Sequence, residues 1–162
     1  ETPMSYYKEV ETALGTFGII EENGAITFVL FHPEKERPKE CTEQSTPLLE
    51  RAAVQLSEYA LGKRRDFDLP LSPKGTEFQK KVWEELQKIP YGDTISYQEL
   101  ARRIGNPKAC RAVGAANGKN PIPIIIPCHR VIGENGTLTG FGGGLALKEA
   151  MINLEAGQSM LL

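Results

Sequence analysis

The stretch Ser96-Tyr97-Gln98-Glu99-Leu100-Ala101-Arg102-Arg103-Ile104-Gly105-Asn106-Pro107 decides the fold of the second half of this chain. Ser96 and Glu99 have the spacing of a capping box, which opens a short helix running to about Arg103. Gly105 then supplies a helix stop, Asn106 an N-cap and Pro107 a first-turn proline, so a further helix is predicted from about Pro107 to Asn117. Two short helices joined by a tight, glycine-containing turn predict a helix-turn-helix. The second of them carries mostly small residues, Ala109, Ala112, Gly114, Ala115 and Ala116, beside Lys108 and Arg111. A helix this smooth lets its backbone approach another body closely, either a neighbouring helix in the same domain or DNA.

Upstream, Thr76 and Gln79 form another capping box ahead of Phe78, Val82 and Leu86, and Pro90-Tyr91-Gly92 closes that helix. The run Lys63–Lys74, with Pro70 and Pro73, reads as a linker, which places the domain boundary between residues 1–74 and 75–162. In the first domain, residues 5–31 read as a small antiparallel sheet in which Asn23-Gly24 is a two-residue hairpin turn. Residues 32–45 are polar and read as a loop. Thr46-Pro47 caps a helix whose apolar face is Leu49, Ala52, Ala53, Leu56, Tyr59 and Ala60, and Gly62 stops it. The expected fold is therefore an α/β N-terminal domain followed by a mainly α C-terminal domain with a helix-turn-helix.

Downstream comes Pro121-Ile122-Pro123-Ile124-Ile125-Ile126-Pro127, where the prolines forbid a helix and the isoleucines favour buried, extended backbone. It leads into Cys128-His129-Arg130-Val131. A protonated histidine and basic surroundings would favour the thiolate, the nucleophilic form of cysteine. An inert, core-filling cysteine and a satisfied core histidine are the alternative. Neighbours on extended backbone point to opposite sides, so Cys128 and His129 meet only if the chain bends. Gly133-Glu134-Asn135-Gly136 is a turn, and Thr139-Gly140-Phe141-Gly142-Gly143-Gly144 a glycine-rich loop lacking the Lys-Ser/Thr of a phosphate loop. The last helix starts near Leu145, sets Leu147, Met151 and Leu154 on one face, and ends at Glu155. A carboxylate there faces the negative end of the helix dipole, which points to a partner.

Composition narrows the classes. The 162 residues are 40% hydrophobic and 25% charged, which excludes a disordered or collagen-like chain. No apolar run approaches the roughly 18 residues of a membrane span, so no membrane partner is expected. The net charge of −2 gives no global sign of a nucleic-acid partner, but it divides into −4 over residues 1–75 and +2 over 76–162. From Leu100 to Gly133 the charged residues are Arg102, Arg103, Lys108, Arg111, Lys119 and Arg130, with no acid among them. Such a stretch is either a phosphate footprint or a solvated basic face. Three cysteines without a CxxC pair and two isolated histidines argue against a disulfide framework and against a zinc site. A cytoplasmic location is expected.

These motifs together resemble the O6-alkylguanine-DNA alkyltransferase family of single-use DNA repair proteins. The likeness rests on Pro127-Cys128-His129-Arg130-Val131 preceded by Asn120-Pro121-Ile122-Pro123, and upstream on Ser96-Tyr97-Gln98-Glu99-Leu100-Ala101, Gly105-Asn106-Pro107-Lys108-Ala109 and Arg111-Ala112-Val113-Gly114. It implies a ribonuclease H-like first domain and a winged-helix-like second one. It implies that Cys128 accepts the alkyl group as a thioether, that His129 takes the thiol proton through a water, and that Glu155 orients the imidazole. Tyr97 would assist the departing guanine and crowd the phosphate, and Arg111 would fill the gap in the base stack. Ala109 and Ala112 would lie in the minor groove, Asn120 would brace the turns around the site, and the Val131 carbonyl with Phe141-Gly142 would hold the base. Ser96 and Arg130 fall within the DNA-binding motifs. The resemblance implies no cofactor, no metal and a monomer acting on double-stranded DNA containing O6-alkylguanine. A binding-only lesion sensor and a thiol hydrolase using Cys128 and His129 are the competing classes.

Overall fold

The first half of the chain builds on residues that the period of an extended chain divides between two buried faces: Tyr7, Ile20 and Leu30 cluster with Phe28 and Cys41 on one, and Val10, Phe17, Ile19 and Val29 lie on the other. Strands β1 (Ser5–Thr12), β2 (Gly15–Glu22) and β3 (Ala25–Leu30) form an antiparallel meander. The β2–β3 turn has Asn23 at φ 51° and Gly24 at φ 82°, both in the left-handed region a tight hairpin turn requires. This is a computed structural model, and it describes residues 4–138 and 140–160.

The sheet differs from the expected antiparallel one in a single strand. Residues 32–45 are not all loop: they contain the short helix α1 (Pro33–Glu36) and the strand β4 (Thr42–Glu43). Strand β4 pairs parallel with β1, giving a mixed sheet of order β3-β2-β1-β4. Two residues are too few to show a period of two, so the sequence carries no sign of this strand. Helix α2 (Pro47–Ala60) covers the sheet with Leu49, Ala52, Ala53, Leu56, Tyr59 and Ala60, all buried. Thr46 caps it by accepting from the Leu49 N–H at 3.0 Å, and its hydroxyl also donates to Glu21 of β2. The run 63–74 is packed rather than a free tether. Ile26 N donates to Pro70 O and Ser72 N to Ile26 O, each at 2.9 Å, and the Gln55 side chain accepts from the Asp68 N–H at 2.9 Å.

The chain divides into two compact units, Glu1–Lys74 and Gly75–Leu162. In the second, α3 (Glu77–Leu86) opens with the full Thr76–Gln79 capping box and buries Val82, Trp83 and Leu86. The Trp83 indole N–H donates to Ala116 O at 2.8 Å, tying α3 to the helix that carries Ala116. Helix α4 (Tyr97–Arg103) starts at Ser96, whose side chain accepts from the Glu99 N–H. The Glu99 carboxylate is spent on Arg102 and Arg103, at 3.0 Å each.

Helix α5 (Cys110–Gly118) begins three residues later than expected. Asn106 does not cap it. Instead Ala109 N donates to Asn106 O at 3.0 Å, so Pro107 and Lys108 form a turn of their own. A second, two-stranded sheet pairs β5 (Ile95–Ser96) in parallel with β6 (Val131–Ile132). Helix α6 (Leu145–Met160) closes the unit and continues past Glu155. Among the described residues no helix is long and apolar enough to cross a membrane.

Candidate active site

The proline-rich run ahead of Cys128 is buried, as its isoleucines demand, but it is not extended. Ile125 N donates to Pro123 O at 2.8 Å and Ile126 N to Ile122 O at 2.9 Å, so the segment coils into overlapping turns. Ile124 sits at φ 73°, a conformation that a β-branched side chain adopts only when its surroundings over-determine it. Asn120 supplies part of that determination. Its Oδ1 accepts from the Ile122 N–H at 3.0 Å and its Nδ2 donates to Ile126 O at 2.8 Å, tying both ends of the turn together.

The chain bends at the next residue. Cys128–Arg130 form one 3-10 turn, with the Val131 N–H donating to Cys128 O. Cys128 is buried, 5% exposed, and His129 is fully buried. Pairing of β6 with β5 then sets Val131 beside Ile95 and Ile132 beside Ser96. That pairing ties the start of α4, and hence Tyr97, to the turn that carries the cysteine.

Behind the cysteine lies a closed polar cluster. His129 Nε2 lies 2.7 Å from Glu155 Oε2. Arg130 Nε donates to Glu155 Oε1 at 2.8 Å, Nη2 to Oε2 at 3.1 Å, and Nη1 to Ile89 O at 2.7 Å. Gly92 N adds a long contact of 3.4 Å to Glu155 Oε1, and the Arg130 guanidinium lies 5.6 Å from the Tyr91 ring centre. Burial opposes ionisation of Glu155, but the hydrogen bonds from His129 and Arg130 outweigh it and hold the carboxyl down at about 2. Burial pushes His129 below the usual histidine range against the pull of Glu155, so its resting ring is neutral. An ionised Glu155 only accepts, which puts the ring proton on Nε2 and leaves Nδ1 as the basic nitrogen.

Three expectations are corrected here. A protonated His129 does not activate the thiol at rest: burial pushes the Cys128 thiol up to about 11, while the Asn120 side chain and the Lys148 charge work the other way. Arg130 is not a surface contact for DNA, because its guanidinium is buried and occupied by Glu155 and Ile89. Glu155 does not end α6 at the dipole's negative end. It lies within that helix, and Arg130 and His129 are its partners. The basic stretch is also uneven, since Arg102 and Arg103 are bridged to Glu99, whereas Lys108, Arg111 and Lys119 are exposed.

Helix α5 divides its small residues between both uses weighed from the sequence. Val113, Ala116 and Asn117 face inward, whereas Arg111, Ala112 and Ala115 are exposed and Ala109 is partly so. Gly114 faces Tyr97, leaving 3.7 Å between the Tyr97 ring and the place a Cβ would take. Phe141 and Gly142 lie in the loop before α6, where Gly144 N donates to Phe141 O at 2.9 Å. Thr139, also assigned to that loop, lies outside the described residues.

Two site residues went unread in the sequence. Asn117 donates from Nδ2 to Cys128 O at 3.3 Å, and its buried Oδ1 has no hydrogen-bond partner among the described residues. Lys148 is fully buried and donates from Nζ to Val131 O at 2.7 Å. Its signal was present: Lys148, Met151 and Glu155 share one face of α6, so a lysine lies on a stripe that is buried.

A helix-turn-helix joined through the coiled 119–127 segment to a buried cluster of Cys128, His129 and Glu155 sets a candidate nucleophile and its base in the same unit as a DNA-binding motif. Residues 77–157 match the model of the 6-O-methylguanine DNA methyltransferase DNA binding domain, and residues 5–73 that of the ribonuclease-like domain of the same proteins. A Bacillus subtilis constitutive methylated-DNA–protein-cysteine methyltransferase is 47% identical over 158 residues, covering 94% of this chain and 96% of the relative. The crystal structure of the Mycobacterium tuberculosis O6-methylguanine methyltransferase superposes with a TM-score of 0.88 at 41% identity, over 96% of this chain and 94% of that one. The Mycobacterium tuberculosis protein solved in complex with DNA gives 0.87 at 41% identity, over 94% of each chain. The chain belongs to the 6-O-methylguanine DNA methyltransferase family and carries both of its domains.

Proposed function

We propose that this protein repairs DNA by moving the alkyl group from O6 of an alkylated guanine to Sγ of Cys128, once per molecule. The observation that carries the reading is the His129–Glu155 hydrogen bond of 2.7 Å standing beside a buried cysteine on the same 3-10 turn. A resting thiol held near 11 needs a base, and a neutral imidazole backed by a carboxylate is one. The thiol proton passes through a water to His129 Nδ1, and the imidazolium formed is stabilised by Glu155. Sulfur then attacks the alkyl carbon in line, the carbon–O6 bond breaks, and the guanine leaves as it gains a proton with help from Tyr97. The product thioether has no easy reversal, so stoichiometry is one alkyl group per chain.

O6 of a paired guanine lies inside the duplex, so the reaction needs the nucleotide rotated out, at a cost of a few kcal/mol that a poorly paired lesion lowers. The exposed face of α5 suits this task. Ala109, Ala112 and Ala115 let the helix backbone approach the minor groove, and Arg111 is long enough to fill the vacated stack. A relative of the same fold was solved with DNA bound, which supports duplex DNA as the partner. The Val131 carbonyl and the Phe141-Gly142 loop hold the extruded base. The same displacement extends to alkyl groups larger than methyl and to O4 of alkylthymine.

Incubation with a duplex containing O6-methylguanine should add one methyl to the Cys128 peptide and to neither Cys41 nor Cys110. Turnover beyond one equivalent with an unlabelled Cys128 would sink the proposal. Cys128→Ala should keep DNA binding and abolish transfer.

A further inference from the structure

We infer that Lys148 is a positioning residue for this transfer, its buried ammonium fixed on the Val131 carbonyl as the counter-charge against which the Cys128 thiolate forms. The inference rests on Cys128 being the acceptor.

Lysine is almost never fully buried unless its charge is matched, and Lys148 is 0% exposed. Its Nζ lies 2.7 Å from Val131 O. Val131 in turn donates its N–H to Cys128 O, so the two residues stand at the ends of one 3-10 turn, about 6 Å apart along its axis. The ammonium on that carbonyl is near enough to the turn for its charge and that of the Cys128 thiolate to act on each other. Helix α6 supplies both Lys148 and Glu155, seven residues apart on one buried face.

The ionisable and charged groups of this region are Cys128, His129 and Arg130 from the turn, Lys148 and Glu155 from α6, Tyr91 from the segment after α3, and Tyr97 from α4. At rest the Glu155 carboxylate is matched by Arg130, and the thiol and the imidazole are neutral. Transfer of the thiol proton to His129 creates two charges at once. The imidazolium forms against Glu155, and the thiolate forms against Lys148. Each new charge meets an opposite one already in place, which is the arrangement that costs least reorganisation in a water-poor site. The coupling runs both ways: the ammonium favours the thiolate, and the thiolate favours the ammonium that burial disfavours.

The test uses the full-length protein, with K148M and K148R beside the unmutated chain. Each is reacted with iodoacetamide across a pH series without DNA, and carboxamidomethylation is followed on the Cys128 peptide alone. The expected result is that K148M moves the midpoint of Cys128 reactivity up by a unit or more, a tenfold or greater loss of rate at pH 8, while K148R stays close to the unmutated protein. An unchanged midpoint in K148M, or equal shifts in both variants, overturns the inference. A second measurement needs no variant. The Lys148 Cε carbon signal is titrated before and after Cys128 is alkylated, and its midpoint should fall once a neutral thioether replaces the thiol; an unmoved midpoint overturns the inference equally. Methyl transfer from the O6-methylguanine duplex, run in parallel, separates the two readings. No methyl on Cys128 of the unmutated protein defeats the acceptor assignment, whereas methylated Cys128 with unmoved titrations defeats only the role of Lys148.

Discussion

Arg130 and Glu155 face each other across the buried site through two hydrogen bonds, Nε to Oε1 at 2.8 Å and Nη2 to Oε2 at 3.1 Å. This bidentate pair makes Glu155 a fixed carboxylate, and the fixed carboxylate in turn decides which nitrogen of His129 is basic. An arginine next to the reactive residues thus serves the proton relay from behind rather than meeting DNA from the front.

Glu155→Gln breaks that relay at its root. The neutral amide leaves the Arg130 charge buried without its counter-ion, which costs about 3–5 kcal/mol. The rate of methyl transfer in a single turnover should fall by about 10²–10⁴-fold, the usual worth of general base assistance. Urea unfolding and quench-flow transfer measure the two effects separately. A fully active, stable variant would show that Glu155 is a bystander.

Acid should destabilise the site in two stages, because His129 and Glu155 are both depressed in the folded state and titrate in separate ranges. His129 is held below its ordinary 6.5, so the unfolded chain binds its proton first and stability begins to fall as pH drops below about 6.5. Glu155, lowered from 4.5 to about 2, contributes stability that is complete above pH 4.5 and is lost as pH falls toward 2. Melting temperatures from pH 8 to 3 should decline throughout, and His129→Asn should remove the upper stage. A flat profile between pH 7 and 5 in the unmutated protein would contradict the assignment of His129 as neutral.

Asn120→Ala removes both side-chain contacts that hold the 122–126 turns. The Ile122 N–H and Ile126 C=O are left without these partners, so stability should drop by about 2–6 kcal/mol at about 1–3 kcal/mol per group. Transfer should slow as well, since Ile124 at φ 73° depends on that brace. Thermal denaturation and single-turnover rates check both.

Asn117→Leu should behave differently. It forfeits one long hydrogen bond of 3.3 Å but also removes a buried Oδ1 that has no partner among the described residues. The two effects are each about 1 kcal/mol or somewhat more and oppose one another, so the change in stability should stay within about 1 kcal/mol. A loss as large as that of Asn120→Ala would mean that Oδ1 is satisfied by a bound water.

Ala112→Phe tests the exposed face of α5. Ala112 is solvent-exposed, so stability should change by no more than about 0.5 kcal/mol. A bulky ring there keeps the helix backbone away from the groove, and duplex affinity at fixed salt should fall at least about tenfold, about 1.4 kcal/mol. Unchanged binding would place DNA on another surface.

Much of this protein was written locally. The capping residues Thr46, Thr76 and Ser96 start their helices because a side-chain oxygen three residues ahead of an N–H is a short-range interaction. The hairpin at Asn23-Gly24, the apolar face of α2 and the motif around Cys128 are likewise properties of neighbouring residues, and they were legible for that reason. What stayed hidden depends on residues far apart in the chain. The pairing of β4 with β1 and of β5 with β6 involves strands of two residues each, too short for any pattern. The coiling of 121–127 is imposed by Asn120 and by burial, against the extended preference of its isoleucines. By itself the sequence named the nucleophile, its histidine and its family resemblance. Only the tertiary structure decided the charge state of the site, because burial and the meeting of Arg130, Lys148 and Glu155 across more than fifteen residues of chain set which groups ionise.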